Sequence, residues 1–216
     1  MTARSDVGTG EGMTATGLLW LDTLQRISGR SAHELRGALN GVSVNLEVVR
    51  SRTAKTDSLA MSVAKYADAA GDQLTHVIAM SEALLSLARA PRGPVEIGPV
   101  TRRFEALLGT AAKVDGRSLI IDPSVDALGS TTADGAATRL LIGASLLAAL
   151  DASTRVLCRA TEDRRPALRV ESCDGATFAL PAEVLAAAAD AGIGVSAEPS
   201  AVSISFPRGT KDGTPL

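Results

Sequence analysis

The residue best suited to chemistry is His33, inside the run Ser31 to Asn40. At about 100° per helical residue, His33 lies about 160° from Leu35 and about 180° from Val42, so it points away from the apolar stripe. A neutral imidazole exposed in this way is a nucleophile at neutral pH, and a neighbouring acid such as Glu34 can hold its second nitrogen in one tautomer. The pattern predicts attack on a phosphoryl group, although a solvated surface histidine shows the same spacing.

The side chains on the same helical face are basic, amide or absent. Glycine inside a helix costs roughly 1 kcal/mol against alanine, which stability alone would not favour. A partner that approaches the helix closely explains both the glycines and the polar groups, so we expect a partner-binding surface here. Its members are Arg26, Gly29, Arg30, Arg36, Gly37 and Asn40.

Two long helices must position His33. Apolar residues at steps of three and four run from Leu24 to Val49, and again from Leu59 to Ala88, which predicts two amphipathic helices in a hairpin over residues 15–91. One partner helix cannot cover such a stripe, so two hairpins are expected to form a four-helix bundle in a homodimer.

The pattern of apolar residues changes after Pro91, Gly93 and Pro94. Short apolar strands alternate with helices over residues 95–208, which predicts an α+β domain with a mainly antiparallel sheet. Polar termini over residues 1–14 and 209–216 are expected to be a disordered tail and a frayed tail.

The run His33-Glu34-Leu35-Arg36-Gly37-Ala38-Leu39 resembles the H-box of the dimerising phosphoacceptor domain of sensor histidine kinases, usually His-Glu-Leu-Arg-Thr-Pro-Leu. The resemblance covers both helices. It implies that His33 is the phosphoacceptor, that Glu34 assists as a base, and that the hairpin dimerises. Gly37 stands where the family has the Thr or Asn used in dephosphorylation, and Ala38 replaces its proline, so a straighter helix is expected.

The second domain lies where that family keeps its ATP-binding domain, and the resemblance implies a degenerate, ATPase-like α/β sandwich. Ala149 stands in place of a Mg²⁺-binding Asn, and a hydrocarbon cannot ligate a hard cation. Cys173 and Thr177 replace the Asp and the second Gly of the Asp-x-Gly-x-Gly motif that reads adenine. ATP binding is therefore expected to be lost, with no cofactor or metal held by this chain. The combination is similar to bacterial histidine phosphotransferases of the ChpT type.

Composition excludes several other classes. A net charge of −2 and 2% aromatic residues provide neither a basic field nor stacking platforms for nucleic acid. The longest apolar run is far shorter than a membrane span, so we expect a cytoplasmic protein without a membrane partner. The two cysteines, Cys158 and Cys173, are expected to be small buried residues in a reducing compartment.

These observations and the resemblance predict a phosphorelay protein in which phospho-His33 passes phosphoryl groups between response-regulator receiver domains. The resemblance also implies a hybrid histidine kinase as a candidate partner. The Mg²⁺ for the transfer would then be held by the receiver. Two alternatives stay open. One is a non-catalytic pseudokinase scaffold that binds receivers, and the other is an atypical autokinase.

Overall fold

The structure is a computed structural model that describes residues 14–53, 60–89, 94–161 and 165–208. The predicted tails lie outside these residues, apart from Thr14. Leu59, the first residue of the second apolar stripe, lies outside them as well.

The first two helices form the predicted hairpin. Helix α1 spans Ala15–Thr53 and α2 spans Ala60–Ala88. The amide of Asn45 donates to Oε1 of Gln73 over 3.1 Å across the pair. A Cβ on Gly41 would overlap the amide end of the Gln73 side chain, so this glycine leaves room for that side chain to lie against α1.

The remaining elements form one α+β unit, here called the sheet domain. In chain order they are β1 (Val95–Glu96), α3 (Ile97–Val114), β2 (Ser118–Ile121), a 3-10 turn (Pro123–Ala127), β3 (Ser130–Thr131), α4 (Gly135–Ala152), β4 (Arg155–Thr161), β5 (Ala167–Ser172), α5 (Ala182–Asp190), β6 (Gly194–Glu198) and β7 (Ala201–Ser205). The main sheet has the order β2-β4-β5-β7-β6, and only the β2–β4 pair is parallel. The predicted helical hairpin followed by a mainly antiparallel α/β sandwich is confirmed.

Helix α4 is the centre of the core. The side chain of Asp134 caps its start by accepting from the backbone N–H of Ala137 at 2.8 Å. By length and mean hydropathy of 1.3 the helix could cross a membrane, but 78% of it is buried within the fold. A helix that is apolar all round is expected at such a position.

The outer surface of the sheet carries a ladder of ion pairs. Arg169 lies between Glu171 at 2.9 Å and Glu198 at 2.7 Å, and Arg159 pairs with Glu171 at 3.2 Å. Charged side chains on this surface and apolar ones on the other explain why the helices cover only one side of the sheet.

One expectation about the cysteines is wrong. Cys158 is buried in β4, and burial raises the pKa of its thiol to about 12, so it is an inert core residue. Cys173 is exposed, because it follows the last residue of β5, where the chain leaves the sheet at a turn.

Candidate functional site

His33 is exposed near the middle of α1, as its helical phase predicted. No hydrogen bond joins its imidazole to another residue in the described parts of the chain, and Glu34 beside it is half-buried. The ring is therefore free to meet a reacting group from outside the molecule, while the predicted tautomer contact with Glu34 is not formed here.

The residues around His33 form an open surface. Gly29, Arg36, Gly37 and Asn40 are all exposed, and a Cβ placed on either glycine would meet no atom within 4 Å. The glycines thus leave space above the helix rather than filling a tight contact within the chain. We call these four residues and His33 the His33 surface.

Arg26 and Arg30 are not part of this open surface. Both guanidinium groups pair with Asp151 at the end of α4, that of Arg26 at 3.2 Å. Their side chains keep 53% and 32% exposure. They therefore link α1 to the sheet domain and sit at the border of the His33 surface.

The sheet domain docks on the opposite side of α1. The ring of Trp20 packs edge-on against that of Phe104 in α3, with centroids 6.2 Å apart and planes at 89°. Ile27 is fully buried, and the Ser31 hydroxyl donates to the Leu107 carbonyl over 3.1 Å. We call this contact between the hairpin and the sheet domain the junction.

The second helix is tied to the same domain. Arg139, on α4 and 7% exposed, donates to the Leu87 carbonyl at 3.0 Å and to that of Arg89. These carbonyls belong to the end of α2, where the helix itself provides no donors. Both helices of the hairpin are thus held by buried contacts.

This arrangement fixes where His33 lies relative to the sheet domain. Ser31, which bonds to α3, is two residues from His33 but about 160° away around the helix axis. His33 consequently lies away from the Ser31 contact with α3, one to two helical turns beyond Arg30 and Arg26, which meet Asp151.

The residues that the resemblance places at a nucleotide site make contacts within the chain. Ala149 is fully buried in α4. The carboxylate of Asp174 accepts from the hydroxyl of Ser172 at 2.6 Å, from both the backbone and the hydroxyl of Thr154 at 2.8 Å, and from the Ser153 hydroxyl at 2.8 Å. These bonds, the one from Ser172 foremost, hold the pKa of Asp174 well below its usual range.

The carboxylate of Asp174 therefore ties the end of β5 to the segment between α4 and β4. Sequence reasoning did not assign roles to Asp174, Asp151 or Arg139. The dipeptide Asp174-Gly175 is a turn signal, and Gly175 does adopt a positive φ of 76°. Nothing comparable in the sequence marks the other two residues. Among the described residues, no group of three or more His, Cys, Asp or Glu is placed to hold a metal ion.

Comparison with known proteins gives a limited picture. Neither a protein-family model nor a curated protein matches the chain. Among solved structures it is similar to the Acinetobacter baumannii histidine kinase AdeS, with 14% identity, a TM-score of 0.34, and 81% of this chain aligned to 97% of that one.

Two further histidine kinases are also similar. Full-length ShkA in complex with AMPPNP has 18% identity and a TM-score of 0.40, over 85% of this chain and 45% of that one. The blue-light activated kinase EL346 of Erythrobacter litoralis has 17% identity and a TM-score of 0.34, over 76% of this chain and 63% of that one. The chain thus spans less than two thirds of these two proteins, and likenesses of this size leave the function to be argued from its own residues.

Proposed function

We propose that this chain is a histidine phosphotransfer protein of a two-component phosphorelay, with His33 as its phosphoacceptor. The observation that carries the proposal is the exposed imidazole on a glycine-flanked helix surface, with no hydrogen-bond partner among the described residues. An imidazole in this setting is accessible to a second protein.

The chemistry is a reversible in-line transfer. One imidazole nitrogen of His33 attacks the phosphorus of an aspartyl phosphate on a receiver domain, the N–P bond forms, and the P–O bond to the aspartyl carboxylate breaks. The other imidazole nitrogen carries the proton during the attack. Glu34 is proposed to orient this N–H group. Return of the phosphoryl group to another receiver reverses the same steps, and the Mg²⁺ belongs to the receiver.

The docked sheet domain favours transfer over autophosphorylation. Any nucleotide on that domain would have to reach an imidazole that lies about 160° around α1 from the Ser31 contact with α3. The internal use of Asp174 and the buried Ala149 also support loss of ATP binding. We propose that the protein works in the cytoplasm, where receiver domains are found.

We further propose that two chains pair through their hairpins. Large apolar side chains are exposed along both helices: Leu39 (48%) and Leu46 (53%) on α1, and Leu74 (47%) and Ile78 (50%) on α2. Large exposed apolar side chains on both helices favour an interface, and a second hairpin carries the same side chains to cover them. The His33 surface lies outside this stripe, so pairing leaves it free.

The test is a transfer assay with receiver domains carrying radiolabelled phosphate, and with labelled ATP in a parallel reaction. We expect acid-labile label on the wild type from receivers and none from ATP. His33→Ala and His33→Gln should abolish the label, whereas His76→Ala, which changes the other histidine of the chain, should retain it.

Each other result has a definite meaning. Label from ATP alone would establish an autokinase. No label across a broad receiver panel, together with receiver binding that survives His33→Gln, would establish the scaffold instead. Loss of transfer in Glu34→Gln with intact receiver binding would support the proposed role of that carboxylate.

A further inference from the structure

A cavity of about 600 Å³ lies at the junction, where α1 meets α4 and the start of α5. The volume corresponds to roughly 20 water molecules and falls within the range of small-molecule sites. No single side chain would fill it. Because both the hairpin and the sheet domain contribute walls, the cavity is complete only in the docked arrangement.

The inner walls are mostly apolar. Ala144, Val184 and the polar Thr23 are buried, and Leu19, Ala148 and Phe178 are half-buried around the same space. Such a lining gains free energy from an apolar ligand body that displaces water.

The charged residues at the cavity are mostly acidic. Three carboxylates, those of Asp22, Asp151 and Glu183, line it against the single guanidinium of Arg26. Arg26 and Arg30 both pair with Asp151, Arg26 at 3.2 Å. Within the described residues, Asp22 and Glu183 have no ion-pair partner, which leaves two carboxylates at the cavity to attract a cation.

We propose that this cavity binds a small organic cation, an ammonium or guanidinium group carried on an apolar body. The charged group lies between Asp22 and Glu183, and the body packs against Ala148 and Phe178. The site is separate from His33 and from the proposed transfer reaction. Because its ligand touches α1, α4 and α5 at once, binding also stabilises the docked junction.

The experiment is calorimetry with three probes that share one phenyl-ethyl body. Phenethylamine carries a positive charge, 2-phenylethanol is neutral and phenylacetate is negative. We expect binding of the amine, at least tenfold weaker binding of the alcohol, and none of phenylacetate or of ATP with Mg²⁺. No binding of phenethylamine at millimolar concentration, or equal binding of all three probes, would overturn the proposal.

Variants locate the site. Asp22→Asn and Glu183→Gln should each weaken phenethylamine by roughly fivefold, the size of a partly exposed charge pair. Asp190→Asn removes an exposed carboxylate from the other end of α5 and should leave the affinity unchanged.

Ala148→Phe places a ring where the apolar body of the ligand packs and should abolish binding. If this variant fails to fold, the two charge variants still decide the question, because both positions are exposed. Amine binding that is insensitive to both would place the ligand elsewhere and overturn the assignment.

Discussion

The contact between the hairpin and the sheet domain at the junction can be tested through the fluorescence of Trp20, the single tryptophan of the chain. Trp20 is 9% exposed and edge-packed on Phe104, which is fully buried. Replacing Phe104 by Leu keeps an apolar side chain in α3 but removes the ring contact between the hairpin and the sheet domain.

The expected loss of stability follows from two contributions. An edge-to-face aromatic pair contributes about 0.5–1.5 kcal/mol beyond its burial. An apolar replacement of similar volume in a packed core costs up to about 1.5 kcal/mol more. The sum is about 0.5–3 kcal/mol, which for a chain of this length lowers Tm by roughly 1–12 °C.

Fluorescence and circular dichroism would be followed together during urea unfolding. In the wild type we expect emission from a buried indole and one coincident transition by both probes. Phe104→Leu should shift the native emission to longer wavelength as well as lowering the midpoint. Phe206→Leu is the matched control, because Phe206 is equally buried; it should lower the midpoint and leave the emission unchanged. A wild-type emission typical of solvated indole, or a Phe104→Leu spectrum identical to the wild type, would refute the docked junction.

Three further predictions concern other parts of the fold. Asp174→Asn should be less stable than the wild type at pH 7, and the difference should shrink below about pH 4 in pH-dependent urea unfolding, because a carboxylate with a depressed folded pKa loses its stabilising effect as it is protonated; a constant difference would contradict this. Leu39→Asp combined with Leu74→Asp should convert a dimeric mass into a monomeric one in light scattering with unchanged circular dichroism, whereas a monomeric wild type at micromolar concentration would contradict the pairing. Gly98→Ala should cost about 1–3 kcal/mol, because its Cβ would lie 2.8 Å from a backbone carbonyl oxygen of the 3-10 turn. Gly37→Ala, with open space above it, should gain about 0.5–1 kcal/mol in the same unfolding measurement, and the opposite order would refute the packing described at these positions.

The helices and most strands could be predicted from the sequence, because apolar spacing is a local signal. The predicted ends of the two hairpin helices agree with the structure to within a residue or so at Thr53 and Ala88. Strand β6 was not predicted, since Gly194–Glu198 is an edge strand whose burial is slight and whose single large apolar residue is Val195.

The candidate site was predictable only in part. Helical phase correctly placed His33 on the exposed side of α1, but phase cannot tell which exposed residues another domain will reach. Arg26 and Arg30 share the side of His33 closely enough to be grouped with it, yet their partner Asp151 is 125 and 121 residues away in the chain. Contacts between residues so far apart in the chain do not change the spacing of apolar residues in either segment, so the sequence pattern does not reveal them.

That separation also has a consequence for how the chain is made. The inner side of α1, with Trp20 and Ile27, is synthesised first. Helix α3, with Leu107, follows about 76 residues later, and α4, with Asp151, follows about 125 residues later. At roughly 5–20 residues per second, α1 waits about 4–15 s for α3 and about 6–25 s for the complete junction. The hairpin, built from local contacts, is expected to form within that interval, and the sheet domain then folds onto an existing template. Newly made chains should therefore bind holdase chaperones through α1 during synthesis and release them once the junction closes.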